Sequence, residues 1–153
     1  MIVCLDTSGS MCGIPEKIAH SLIIKLLEIA DRQRRDCYLI TFSVRIHRAD
    51  VRKERAKLLD ILTHTSTGDT DATQMLKATM DLLTSKKEYI NSDVLWISDF
   101  RIPKTTESLL RQMESYRNEG TRFYGLQIGM AEHCWEKYFD HIYKVSFDVS
   151  RSF

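Results

Sequence analysis

The run Ile2-Val3-Cys4-Leu5-Asp6-Thr7-Ser8-Gly9-Ser10 decides the fold. Four apolar residues ending on an acid read as a buried strand whose last residue emerges at its carboxyl end. In open α/β sheets that end is where ligands bind. Asp6, Ser8 and Ser10 place oxygen side chains on alternate positions, and Gly9 permits a tight turn between the two serines. One carboxylate and two hydroxyls make a hard-oxygen set suited to Mg2+ or Mn2+, with room left for waters and further ligands. The same pentapeptide also reads as a serine-rich turn that only caps the next helix.

Outward from this strand, the chain alternates strands and helices. Gly13-Ile14-Pro15-Glu16 opens a first helix, with Ile18, Leu22, Leu26 and Ile29 as its apolar stripe. Cys37 to Ser43 is a nearly continuous apolar and β-branched run, hence a second buried strand, and Val44-Arg45-Ile46-His47 alternates as an edge strand turning back on it. Arg55, Leu58, Leu59 and Leu62 mark a short second helix, residues 63–70 a polar loop, and Ala72, Leu76, Met80 and Leu83 the buried stripe of a third helix. Asp93 to Asp99 is another strand ending on an acid. A helix carrying Leu109, Met113 and Tyr116 follows Pro103 and Thr105-Thr106-Glu107. Arg122 to Ile128 is the next strand, Trp135 to Phe139 a short helix, and Ile142 to Phe147 the last strand. Six strands alternating with helices imply a doubly wound, mostly parallel sheet with one antiparallel edge strand and helices on both faces. The loops at its carboxyl ends should gather along one edge.

Composition narrows the function. At 153 residues, 43% hydrophobic and 28% charged, the chain is one soluble globular domain with a real core. Lys+Arg 22 against Asp+Glu 21 leaves +1, which gives no electrostatic case for nucleic acid or an anionic membrane. The basic patch Arg32-Gln33-Arg34-Arg35, flanked by Asp31 and Asp36, reads as a solvated helix end. Cys4, Cys12, Cys37 and Cys134 lack any C-x-x-C spacing, which fits a reducing, cytoplasmic compartment. No apolar run approaches the ~20 residues of a membrane span, and no signal peptide opens the chain. The start on a core strand leads to the expectation that residues 1–153 are a single domain, excised from or C-terminal in a longer protein.

Three segments point at one place: Asp6-Thr7-Ser8-Gly9-Ser10, Thr67-Gly68-Asp69-Thr70-Asp71, and Ser98-Asp99-Phe100. D-x-S-x-S, a loop threonine and a strand-end aspartate together resemble the metal-ion-dependent adhesion site (MIDAS) of von Willebrand factor A (VWA) domains, which have a Rossmann-like fold. The resemblance covers essentially the whole chain. Cys4-Leu5-Asp6-Thr7-Ser8-Gly9-Ser10-Met11, Gly68-Asp69-Thr70-Asp71 and Ile97-Ser98-Asp99-Phe100 look most like the bacterial ViaA/CoxE branch, whose members work beside MoxR-type AAA+ ATPases.

The resemblance implies that Ser8, Ser10 and Thr70 ligate Mg2+ (or Mn2+) through hydroxyls, with Asp6 and Asp99 acting directly or through waters. Two carboxylates just neutralise the ion. It stays electrophilic enough to take an Asp or Glu of a protein partner in its open position. Asp71, with Gln74 three residues on, reads as a helix cap that steadies Thr70. Asp69 stands where the branch has a second glycine, and it reads as facing water. Cys12 is a bystander thiol. An acid closing an apolar strand, as Asp99 does, needs a counter-charge.

The function expected is a binding module, not an enzyme. The enzyme alternative is a Mg2+-dependent phosphatase of the haloacid-dehalogenase type, which needs a second aspartate two residues after the first. That position is Ser8 here. No G-x-G-x-x-G follows the first strand, so a dinucleotide site is not expected. His20, His47, His64, His133 and His141 show no ligand spacing, and His133-Cys134-Trp135 lacks an identifiable base and orienting group. A purely structural domain without metal would not need the five-residue set.

Overall fold

The computed structural model describes residues 1–63 and 68–147. The strands are β1 (Ile2–Asp6), β2 (Tyr38–Phe42), β3 (Ile46–Asp50), β4 (Val94–Ser98), β5 (Phe123–Ile128) and β6 (His141–Val145). The helices are α1 (Ile14–Arg32), α2 (Arg55–Thr63), α3 (Ala72–Ser85) and α4 (Glu107–Asn118), with short 3-10 turns at Gly9–Met11, Lys87–Tyr89 and Glu136–Tyr138. One six-stranded sheet has the order β3-β2-β1-β4-β5-β6. Every neighbouring pair is parallel except β2 with β3. The expected architecture, mostly parallel with one antiparallel edge strand, is the one observed.

Burial explains why the chain winds this way. All five residues of β1 and all five of β2 are buried, so these strands need cover on both faces. Side chains of Val3, Leu5, Leu39 and Ile97 pack with Ala19 and Ile23 of α1 and Ile61 of α2 on one face. Those of Ile2, Cys4, Ile40, Phe42 and Trp96 pack with α3 and α4 on the other. Each fully buried aliphatic or aromatic side chain of this kind contributes about 1.5–3 kcal/mol. Ala72, Leu76, Met80 and Leu83 of α3 are all buried as their spacing predicts. Cys4 and Cys37 are buried free thiols, and burial pushes them up to about 12 and about 11, so they behave as small apolar side chains.

Three local readings need correction. The buried face of α1 runs through Ala19, Ile23 and Ala30 rather than ending at Ile29, which is 41% exposed. Ala19, Ile23 and Ala30 join the core on this face of the sheet, which turns Ile29 to its margin. The edge strand is Ile46–Asp50, not Val44–His47, because Ser43 N–H donates to Arg45 O and closes a turn through Val44. The last strand stops at Val145, two residues short of Phe147. Of the expected loop 63–70, Thr63 belongs to α2 and residues 64–67 lie outside the described residues.

The strand order places a switch point between β1 and β4. From β1 the chain builds outward to β2 and β3; from β4 it builds the other way to β5 and β6. In such sheets the crevice at the carboxyl ends of the two diverging strands is open for a ligand. Asp6 ends β1, and Asp99 follows the last residue of β4.

Candidate metal centre at the switch point

The register of β1 against β4 pairs Leu5 with Ile97, which brings Ser98 alongside Asp6. Ser98 Oγ donates to Asp6 Oδ2 at 2.6 Å, and Ser8 N–H donates to Asp6 Oδ1 at 2.9 Å. Both Asp6 oxygens are therefore engaged, and the side chain is almost wholly buried. Burial pushes the Asp6 carboxyl above the ordinary aspartate value. The Ser98 and Ser8 hydrogen bonds partly offset the rise, and the charge on Asp99 adds to it. A divalent cation would relieve this desolvated charge, which is one physical test of fit.

The turn after β1 is strapped on two sides. Thr7 N–H and Thr7 Oγ1 both donate to Phe42 O at the end of β2. Gly9 N–H donates to Gly68 O at 3.2 Å, stapling the first loop to the second. A Cβ on Gly9 would sit 3.7 Å from Gly68 N and O, ordinary contact. Gly68 is different: its φ of +136° is a glycine conformation, and a Cβ there would lie 2.9 Å from Val44 Cγ2. The result is a Ser8 Oγ to Ser10 Oγ distance of 3.2 Å. Ser8, Ser10, Gly68, Asp69, Thr70, Arg101 and Pro103 line one pocket of about 510 Å3.

Thr70 is held from behind. Asp71 caps α3, its Oδ1 accepting Thr73 N–H at 2.8 Å, while Asp71 N–H donates to Ser43 O at 3.3 Å. The capping role read from the sequence is the one observed. Asp69 is exposed, as expected.

On the third loop, Asp99 is buried and its Oδ1 accepts Arg101 N–H at 3.0 Å. Phe100 between them has φ +60°, unusual for a bulky residue. Two features hold it there. Phe100 N–H donates to Ser98 Oγ at 2.8 Å. Its ring is caged by His133 at 4.8 Å, Phe139 at 5.4 Å and Trp96 at 6.3 Å between centroids. His133 Nδ1 accepts Trp135 N–H, so Nε2 carries the proton given to Gln127 Oε1. Burial pushes this imidazole below its ordinary value, consistent with a neutral packing role.

The structure thus brings Ser8, Ser10 and Thr70 around one pocket and sets Asp6 and Asp99 at the carboxyl ends of the adjacent parallel strands β1 and β4. Three contributors are not evident from ligand spacing alone. Ser98 anchors Asp6, Arg101 sits at the pocket wall, and Gly125 makes room for Phe100. A hydroxyl in the last position of an otherwise apolar strand is the signal for Ser98; Arg101 and Gly125 carry none. Among the described residues no group of three or more His, Cys, Asp or Glu side chains is placed to hold a metal. The donor chemistry at the switch point is instead two carboxylates and three hydroxyls, which fits a hard divalent cation with open positions.

Residues 1–101 match the sequence model of the von Willebrand factor type A domain. That is 101 of 153 residues, and the chain belongs to this family. Solved structures agree on the fold. The VWA domain of SpRpn10 superposes with a TM-score of 0.69 at 14% identity, covering 95% of this chain and 86% of that one. BatB, a conserved hypothetical protein from Bacteroides thetaiotaomicron, gives 0.64 at 16% identity, covering 84% and 66%. Proximal thread matrix protein 1 from the mussel byssus, solved with a zinc-occupied MIDAS motif, gives 0.60 at 12% identity, covering 99% of this chain and 42% of that one. No helix among the described residues is long and apolar enough to cross a membrane.

Proposed function

We propose that this domain is a metal-dependent protein-interaction module in which Asp6, Ser8, Ser10, Thr70 and Asp99 form a MIDAS for Mg2+ or Mn2+. The carrying observation is the Ser8 and Ser10 hydroxyls 3.2 Å apart above a buried, hydrogen-bonded Asp6. In this reading Ser8, Ser10 and Thr70 meet the ion through hydroxyls. Asp6, with both oxygens engaged, acts through Ser8 and through water. The zinc-occupied MIDAS of the mussel protein supports a divalent ion in this fold.

The ViaA/CoxE-like motifs point to a bacterial, cytoplasmic protein of which this is one domain, working beside a MoxR-type AAA+ ATPase that offers an Asp or Glu to the metal. One carboxylate contact is not enough for a complex, so a surrounding patch of about 1,200 Å2 is also buried. Catalysis forms no part of this reading. The phosphatase alternative finds no support, since position 8 is a serine where that chemistry needs a second acid.

The test is a pull-down of the cognate ATPase with and without EDTA. Binding should fall on chelation, return with Mg2+, weaken in Ser8→Ala, Thr70→Ala and Asp99→Ala, and persist in Lys25→Ala on the exposed face of α1. A complex indifferent to chelation and to the site substitutions would place the interface elsewhere.

A further inference from the structure

Arg101 combines two features that no other residue of the site shares. Its side chain is 69% exposed and lines the same pocket as Ser8, Ser10 and Thr70. Its Nε also lies 3.7 Å from Asp99 Oδ2, whereas the Asp99 side chain is only 9% exposed. The separation is that of an ion pair rather than a directed hydrogen bond. The two Asp99 oxygens are therefore held differently. Oδ1 accepts the Arg101 backbone N–H at 3.0 Å, a contact made by the turn itself. Oδ2 is met by the Arg101 guanidinium, whose own side chain lines the pocket.

We propose that Arg101 is the built-in competitor of the divalent ion for Asp99, so that its guanidinium sets how tightly the site loads. This inference rests on the MIDAS reading above and concerns the regulation of that same site. Without a cation, Asp6 and Asp99 are two carboxylates in a desolvated crevice, and Arg101 supplies the positive charge that the aspartate at the end of β4 requires. A loaded site cannot keep the guanidinium and a divalent ion on the same carboxylate oxygen without repulsion, and the exposed, flexible arginine is the group able to swing away. Once displaced it stays tethered two residues from Asp99 and adds one positive charge at the pocket mouth, where an acidic partner arrives. Metal affinity is thereby lowered in the free domain, and the acidic partner meets a more positive surface.

The charge can be removed without touching the turn, because the Arg101 backbone N–H remains in Arg101→Gln. Mn2+ titration calorimetry on the domain in low-salt buffer, for wild type, Arg101→Gln and Arg101→Lys, is the experiment. Arg101→Gln should bind Mn2+ roughly three- to tenfold more tightly, the size expected for removing one largely exposed charge beside a ligand. Arg101→Lys should stay within about twofold of wild type, and the gain in Arg101→Gln should shrink as salt is raised. Wild-type binding with Arg101→Gln unchanged or weaker overturns this inference and leaves the MIDAS reading standing. Absence of Mn2+ binding in all three proteins overturns both. Binding that appears only in Arg101→Gln supports both, with the guanidinium as the dominant block.

Discussion

Gly125→Ala should be among the most damaging single-methyl changes in this domain, and the structure says why. A Cβ at position 125 would lie 2.8 Å from Phe100 Cζ, 2.9 Å from Ile142 Cγ1 and 3.3 Å from Ile142 Cγ2. The first two distances are shorter than real Cβ contacts, so one neighbour must move. Ile142 is half-buried in edge strand β6 and can give by a few tenths of an ångström. Phe100 cannot, since His133, Phe139 and Trp96 cage its ring and its backbone N–H is tied to Ser98. Overpacking of a filled core costs about 1–3 kcal/mol. With one neighbour rigid and one compliant, a loss of about 2 kcal/mol is expected. For a domain of this size that lowers Tm by about 4–8 °C. Urea unfolding followed by far-ultraviolet circular dichroism measures it. A loss below about 0.5 kcal/mol would refute the reasoning, because it would mean that the ring holding the Asp99 turn is free to shift.

Asp71→Ala removes the cap on α3 and should cost about 1 kcal/mol in denaturant unfolding. Ser10→Ala should leave the metal-free fold within about 0.5 kcal/mol of wild type, since Ser10 is exposed at the pocket rim; a collapsed melting transition would make that loop structural. Asp140 supplies the pH dependence. Burial raises its carboxyl, but Phe123 N–H, Arg117 and Arg122 outweigh this and hold it below the ordinary aspartate value of 3.8. A depressed carboxyl contributes stability above its unfolded value that is lost as pH falls through the folded one. Asp140→Asn should therefore lower Tm at neutral pH, and melting curves of the two proteins should converge in strong acid.

The parts of this protein legible in its sequence are those where residue type and backbone position coincide. An acid closing an apolar strand appears twice, at Asp6 and Asp99, and parallel winding alone puts both at one sheet edge. Asp71 is readable as a cap because capping is local. What escapes is whatever depends on partners distant in sequence. Ile29 belongs to the apolar stripe by spacing, yet it is exposed while Ala19, Ile23 and Ala30 of α1 are buried, a choice of face made only against the sheet. Val44 continues an alternation, but the Ser43–Arg45 hydrogen bond makes it a turn residue. Gly125 looks like a weak point in a strand until Phe100 is placed 2.8 Å from where its side chain would be. Arg101 is one more surface arginine until Asp99 Oδ2 is found beside it.

The central claim is that a divalent ion sits among Ser8, Ser10, Thr70 and Asp99, over Asp6. Mn2+-induced paramagnetic broadening of backbone amide resonances tests it most directly, because it reports where the ion is as well as that it binds. In wild type, substoichiometric Mn2+ should broaden the amides of the Ser8–Ser10, Gly68–Thr70 and Asp99–Arg101 loops first, and in Asp6→Ala that localised broadening should vanish. Broadening centred elsewhere on the domain, or the same pattern in wild type and Asp6→Ala, would contradict the account.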